Sequence, residues 1–308
     1  MRIGINASNL VVMGATVDDY VAHAAAAEAD GLSSWWMAQL GAPDALTTLG
    51  AVGRGTSTIE LGTAVVATWL RHPLMLAAQA LTTQEMAGGR LALGIGLAHK
   101  APIEATLRVP FDHPATHMSE YLSVLLPTLT DRKVDFAGDI WSGVTEGLGG
   151  APGVAAPPVL VAAMGPRMLA LAGGRTDGAV LWLSGPRTID EYLRPALHTA
   201  AAEAGRTEPR IVASVPLCVT DEAEQVRGLI DALLAGYNDL PSYRGVMDRE
   251  GVDGPAGVSI VGNEDEVRMA VGRFADAGTT DFVPVEVGTN PDETARTRAL
   301  LVDLAKGG

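Results

Sequence analysis

The 308-residue chain reads as an α/β protein, a (β/α)8 TIM barrel with insertions in its βα loops. Three observations predict this. Eight apolar runs, near Ile3, Trp36, Val65, Leu93, Leu160, Leu181, Val215 and Val283, are each followed in time by a helical run. Those runs are apolar throughout, as expected of strands in a parallel sheet covered on both faces. From Leu61 to Lys100 a strand, a helix and a strand follow one another in the order and size of a βαβ unit, whose crossover makes the strands parallel. No shift in composition marks a second domain, so one domain is expected over residues 1–308.

In chain order, Arg2 to Asn6 is a short strand. Thr16 caps a helix that has Asp18 and Asp19 in its first turn and ends at Gly31. Leu32 to Ala38 is a strand made heavy by Trp35 and Trp36, and Pro43 starts a helix ending near Gly53 to Gly55. In the central unit a strand from Ile59 to Val66 precedes a helix from Pro73 to the pair Gly88-Gly89, and Arg90 to Ile95 is the next strand. A loop with Pro110, His113, Pro114 and His117 leads to a helix from about Met118 to Leu129, and Val134 to Trp141 is a strand or hairpin arm. Gly147 to Pro158 is irregular. Strands follow at Val159 to Ala163, Gly178 to Leu183 and Arg210 to Val219, with helices to Gly173, over Ile189 to Ala204 and over Asp221 to Gly236. Asn238 to Gly257 reads as a loop, and a helix capped at Asn263 precedes the last strand, Asp281 to Val287, and the last helix, Pro291 to Ala305.

A formal charge of −14 opposes nucleic acid or an anionic membrane as partner, since both need a basic face. Cys218, the single cysteine, excludes an internal disulfide, and its apolar neighbours point to a buried thiol. The first residues enter a strand without a basic-then-apolar segment, so a soluble, cytoplasmic protein is expected.

The chain lacks a G-x-S-x-G elbow, a Walker loop and an H-E-x-x-H pair, which turns attention to chemistry carried by an organic cofactor. Gly94-Ile95-Gly96 follows a strand, but His99 stands where a dinucleotide-binding turn needs its third glycine. Small residues at a strand end are the better reading. Gly165-Pro166-Arg167 opens a helix after an apolar strand, and free N–H groups, the helix dipole and a guanidinium there suit a phosphate. Arg71, before His72 and Pro73, suits either an anionic ligand or a surface ion pair. His99 directly follows a strand and is the candidate for proton transfer, beside the alternative of a hydrogen-bonded structural histidine. The indoles of Trp36, Trp69, Trp141 and Trp182 lie near strand ends, where they suit the walls of an aromatic ligand; a core role is the alternative.

The run LGTAVVATWLRHPLMLAAQALTTQEMAGGRLALGIGLAHK resembles the bacterial-luciferase-like superfamily, and within it the branch that uses the deazaflavin coenzyme F420, such as methylenetetrahydromethanopterin reductases. Val161 to Met168, Asp177 to Trp182, Val261 to Val267 and Asp276 to Phe282 match the same family, so the resemblance spans nearly the whole chain. It implies a barrel with F420, or alternatively FMN, lying across the C-terminal strand ends, and members are commonly homodimers. A non-proline cis peptide supporting the ring falls at Ala64–Val65. Gly96 and His99 line its reactive side, and the cofactor phosphate lies against Ala163, Met164, Gly165, Pro166 and Arg167. Sugar-phosphate dehydrogenases of the family carry an acid and a histidine after strand two and a glutamate after strand four. This chain has Ala38-Gln39 and His99 instead, which points to another substrate and makes Gln39 and His99 candidates for orienting or protonating it. Trp36, Trp69 and Trp182 are the expected substrate contacts. Substrate choice is expected to lie in the insertions Pro102 to Thr116, Gly143 to Pro158 and Asn238 to Gly257. The implied function is hydride transfer between F420 and a small organic molecule; the alternatives are an FMN-dependent monooxygenase and a non-catalytic flavin-binding barrel.

Overall fold

Eight strand positions close into a parallel barrel in a computed structural model that describes residues 1–149 and 153–307. The strands are β1 (Arg2–Ile3 and Ile5–Asn6), β2 (Ser34–Met37), β3 (Glu60–Thr63 and Val66–Ala67), β4 (Leu91–Gly96), β5 (Val159–Ala162), β6 (Gly178–Trp182), β7 (Arg210–Ser214 and Pro216–Val219) and β8 (Asp281–Phe282 and Val285–Glu286). Closure runs through β1. Its first half pairs with β8, Arg2 opposite Asp281 and Ile3 opposite Phe282, and its second half pairs with β2, Ile5 opposite Trp35. The predicted fold class therefore holds, with each of the eight predicted runs in the barrel. A ninth short strand, Ile260–Gly262, pairs in parallel with the upper half of β7 outside the ring.

Side chains alternate across each strand, so one residue of a neighbouring pair enters the barrel and the next meets the helices. On β2, Trp35 points outward, edge-on to Tyr20 of the helix Val17–Ala29 at 6.2 Å, and donates to His23 Nδ1 at 2.9 Å. Trp36 points inward and packs with Ala92, Leu160, Val180, Val212 and Val283. Such an indole fits because its neighbour across the β2–β3 pairing is Gly62, where a Cβ would come within 2.0 Å of the ring. At the N-terminal end, four charged side chains tie four strands together. Arg210 Nη2 reaches Glu60 Oε1 at 2.7 Å and Asp281 Oδ1 at 3.0 Å, and Arg2 Nη2 reaches Glu60 Oε1 at 3.0 Å. Two cations and two anions balance there. The charges at this end serve closure, since reactive groups of such barrels sit at the other end.

Local signals set most helix starts. Thr16 and Asp19 form a capping box, as do Asn263 and Glu266. Pro73 is the first residue of the helix Pro73–Met86. Three expectations need correction. The second helix begins at Ala45, not Pro43; Asp44 caps it through the Thr47 N–H, and the Ala42–Pro43 peptide is cis. His117 lies within the helix Pro114–Thr130, not before it. Residues 238–257 are largely helical, as Ala235–Asp239, Pro241–Glu250 and Pro255–Val258. Pro241 and Pro255 both occupy first helical turns, where the missing N–H costs nothing. Val134–Ala137 and Ser142–Thr145 form an antiparallel hairpin. Of the insertion 143–158, residues 150–152 lie outside the described residues. Cys218 is buried in β7 with its thiol pushed up to about 11 by burial, with the Glu293 charge adding to it. Among the described residues no helix is long and apolar enough to cross a membrane.

Candidate active site

The C-terminal strand ends bring together most of the predicted residues. β3, β4 and β5 are neighbours, with Val66 opposite Ile95 and Ile95 opposite Val161. Ala64–Val65, Gly96 and Ala163 to Gly165 therefore lie side by side at one rim. β3 breaks between Thr63 and Val66, and the Ala64–Val65 peptide in the break is cis. The break is held on both sides: Ala64 N–H donates to Met37 O at 2.8 Å, and Val65 O accepts from Gln39 N–H at 3.2 Å. The glycines of β4 are explained by this neighbour. A Cβ on Gly94 would fall 2.0 Å from Thr63 O, and one on Gly96 would fall 2.6 Å from Val65 Cγ2. Close strand approach, not a dinucleotide turn, is what they permit.

Gln39 is half-buried and its amide is fully engaged. Nε2 donates to Gly41 O at 2.6 Å, and Oε1 accepts from Ala45 N–H at 2.8 Å. Together with its main-chain bond to Val65, these contacts make Gln39 the clasp between the β2 loop, the next helix and the cis peptide.

His99 stands at the exit of β4, after Ala98 in the left-handed region (φ 56°). It is half-buried between the edges of Tyr237 at 5.9 Å and Tyr243 at 5.6 Å. Tyr237 also meets Trp182, at 6.4 Å. The helical insertion after β7 thus reaches across the mouth to the loops of β4 and β6. Burial lowers the His99 pKa below the ordinary imidazole value, so the ring is neutral near pH 7. Among the described residues it has no hydrogen-bond partner, which leaves its nitrogens available.

The tripeptide Gly-Pro-Arg begins two consecutive helices at this rim, and the two starts differ. After β6, Gly185-Pro186-Arg187 opens a helix whose first N–H groups are taken by Glu250, Oε2 accepting from Thr188 at 2.8 Å and Oε1 from Arg187 at 3.3 Å. After β5, Gly165-Pro166-Arg167 opens the helix Pro166–Arg175 with no side-chain cap. Gly165, Pro166 and Arg167 are exposed, and among the described residues no carboxylate pairs with Arg167. An anion is supplied by the protein at one start and is missing at the other.

The indoles divide. Trp36 is 0 % exposed inside the barrel, so the expectation that it contacts substrate is corrected: it supports the mouth from below. Trp69 and Trp182 are half-buried at the rim, and each has a buried indole N–H without an acceptor among the described residues. Arg71 pairs with Asp44 through Nη2, while its Nη1 is buried without a hydrogen-bond partner among the described residues.

Two residues were not singled out by sequence as a pair. His117 is buried, and Trp141 Nε1 donates to its Nδ1 at 3.1 Å. The proton therefore sits on Nε2, which donates to Thr68 Oγ1 at 2.8 Å, and Thr68 donates onward to Gly96 O at 3.2 Å. Burial holds the His117 pKa at about 4, against the opposing pull of Glu120. The Trp69 ring lies against this imidazole, tilted by 30°, at 3.7 Å between centroids. The helical spacing of His117, Tyr121, Val124 and Thr128 was the available signal for its burial.

A cavity of about 420 Å³ bounded by Arg194, His198, Glu208, Arg210 and Thr280 lies at the opposite, N-terminal end and takes no part in this rim. Among the described residues no cluster of three metal-ligating side chains occurs.

The profile of the family described as luciferase-like monooxygenase matches residues 1–296. A 5,10-methylenetetrahydromethanopterin reductase of Methanolobus tindarius is 26 % identical over 253 residues, covering 79 % of this chain and 74 % of that protein. A proposed coenzyme F420-dependent oxidoreductase of Mycobacterium tuberculosis is 29 % identical over 228 residues, covering 69 % of this chain and 66 % of that protein. Among solved structures, an F420-dependent secondary alcohol dehydrogenase in complex with an F420-acetone adduct has a TM-score of 0.79 at 19 % identity, covering 99 % of this chain and 98 % of the other, and so shares the fold.

Proposed function

We propose that this chain, which belongs to the luciferase-like monooxygenase family, is an F420-dependent oxidoreductase that moves a hydride between the deazaflavin and a small organic substrate. Some of its relatives are named as oxidoreductases, among them a methylenetetrahydromethanopterin reductase and one named for coenzyme F420 itself. The observation that carries the reading is the uncapped helix start at Gly165 to Arg167, set against the Glu250-capped copy of the same tripeptide. A helix N-terminus with an unpaired guanidinium beside it takes a phosphate. The residues at hand also fit a flat ring. Ala64, Val65, Gly96 and Ala163 are small or medium side chains on adjacent strands, and Gly94 and Gly96 keep that stretch free of protrusions.

Bound there, the cofactor supplies a two-electron hydride donor or acceptor at C5. The chain supplies placement and a proton route. Arg167 and the helix start hold the anionic tail. Ala64 and Val65, held by main-chain hydrogen bonds to Met37 and Gln39, would support the ring. A neutral His99 nitrogen accepts the proton when a substrate hydroxyl gives up hydride from its carbon, and returns it in the reverse direction. Tyr237 and Tyr243 narrow the access of water to that nitrogen.

The test is fluorescence titration of the apoprotein with F420 and, separately, with FMN. Micromolar or tighter binding of F420 with little binding of FMN is the expected result. Preference for FMN would move the protein to the oxygen-using members of the family, and binding of neither would remove the cofactor assignment.

A further inference from the structure

The helix Pro241–Glu250 of the insertion after β7 carries Tyr243, Val246, Met247 and Glu250 at spacings of three and four residues, so all four share one face. Tyr243, Val246 and Met247 are buried. At one end of that face Tyr243 stands edge-on to His99 at 5.6 Å, with Tyr237, from the turn Ala235–Asp239, at 5.9 Å. At the other end, about 10 Å along the axis, the Glu250 carboxylate accepts from the N–H groups of Thr188 and Arg187 in the loop after β6, at 2.8 and 3.3 Å. Thr188 closes a second bond, its hydroxyl donating to Val246 O at 3.1 Å. Gly185 leaves room for this contact, since a Cβ there would fall 2.2 Å from Glu250 Cδ. His99 has no hydrogen-bond partner among the described residues, so packing alone holds its ring. The titratable groups that face the imidazole are the two phenols, and on its own segment Lys100 is engaged by Glu104 at 3.7 Å.

We propose that Glu250, together with Thr188, is a positioning residue for His99: it clamps the insertion to the loop after β6 and thereby keeps Tyr243 and Tyr237 against the imidazole. The inference rests on the proposed function only for the chemistry that His99 performs. A helix is stiff over this length, so a tether at Glu250 fixes where Tyr243 sits. The tether is strong for its size, because an ionised acceptor makes each of its bonds to N–H charge-assisted. Without the carboxylate two N–H groups lose their acceptor and the helix is free to swing outward. Water then reaches the imidazole and favours its charged form. Glu250 touches neither His99 nor the place proposed for the cofactor, and it acts only through the helix that joins it to Tyr243.

The experiment is a pH titration of the histidine ring signals of the protein by NMR, without cofactor, the His99 signal being assigned by its loss in His99→Gln. Glu250→Ala is expected to raise the His99 titration toward the ordinary imidazole value, and to quicken exchange of the Thr188 amide proton about tenfold or more. Glu250→Gln keeps one acceptor oxygen for Thr188 and is expected to restore most of both. Tyr243→Ala is expected to raise the His99 titration by itself, and Glu250→Ala added to it is expected to contribute less than it does alone. Thr188→Val removes only the hydroxyl bond; it is expected to move His99 the same way by less, and it carries the test if Glu250→Ala does not fold. A faster Thr188 amide with an unmoved His99 titration would overturn the inference, for the carboxylate then caps a helix and positions nothing. Effects of Glu250→Ala and Tyr243→Ala that simply add would overturn it as well. Because the titrations use no cofactor, a failure to bind F420 would remove the cofactor reading alone, and F420 binding with an unmoved His99 would remove this inference alone.

Discussion

Trp36 rests on the bare Cα of Gly62, and the two residues are register partners across β2 and β3. A methyl group on Gly62 would sit 2.0 Å from Cε3 and 2.2 Å from Cδ2 of the indole, so the ring, the strand or both must move. Gly62→Ala is expected to cost about 3 kcal/mol or more, at the upper end for overpacking a tight core. Chemical denaturation checks this. A variant within about 0.5 kcal/mol of the parent would show that the barrel interior is loosely filled.

His117 predicts a pH dependence of stability. Its folded pKa of about 4 lies below the ordinary value near 6.5, so in that interval the unfolded chain binds the extra proton. The stabilisation is complete above pH 6.5 and falls as the pH drops toward 4. About 3 kcal/mol is at stake over the whole interval. Denaturation at pH 7 and pH 5 should show the decline in the parent and much less of it in His117→Gln. Equal declines in the two would remove His117 as the source.

Arg167→Ala should weaken cofactor binding by about tenfold, the scale of one charge-assisted contact, while the rate at saturation stays near that of the parent. A titration giving equal affinities would clear Arg167 of the role. Arg187→Ala, at the copy already capped by Glu250, serves as the control and is expected to change neither quantity.

His99→Ala should lower turnover by about 10²-fold or more, the usual contribution of a positioned proton-transfer group, with cofactor affinity similar. Because burial depresses its pKa, the rate of alcohol oxidation should rise with pH through a limb below the ordinary imidazole value. Single-turnover measurements on the variant would lose that limb. If the limb persists, another group moves the proton.

Arg210→Ala removes the side chain that joins Glu60 to Asp281. Asp281 is 1 % exposed, and although burial alone would raise its carboxyl, Arg210 outweighs that and holds it below the usual carboxylate range. Leaving it with Arg2 alone should cost about 3 kcal/mol. Glu60→Gln, at a more exposed position, should cost less. Thermal unfolding in the reverse order would place the closure energy elsewhere.

Strand count, strand direction and the small-residue rim were legible in the sequence, because continuous apolar runs and strand-end glycines leave a direct record. The cis peptide at Ala64–Val65 came from resemblance; no local pattern in Thr63-Ala64-Val65-Val66 would have located it. Trp36 and Trp35 were indistinguishable by type, and only the pairing with Gly62 decides which one turns inward. The helices inside residues 238–257 were hidden by Pro241 and Pro255, which start helices as readily as they end them. His117 escaped for another reason. Its partners Thr68 and Trp141 lie 49 and 24 residues away in the chain, and no spacing rule reports a contact of that kind. The unlike fates of the two Gly-Pro-Arg starts were equally invisible, since Glu250 comes from an insertion 63 residues beyond Arg187.

The ring of strands is completed only when Arg2 and Ile3 meet Asp281 and Phe282, pairs 279 residues apart in the chain. Until then β1 and β7 are open edges, and open edges recruit strands from other chains. A chain that lacks the residues from Asp281 onward therefore has two unprotected edges. The cost of such a truncation falls on solubility before it falls on catalysis.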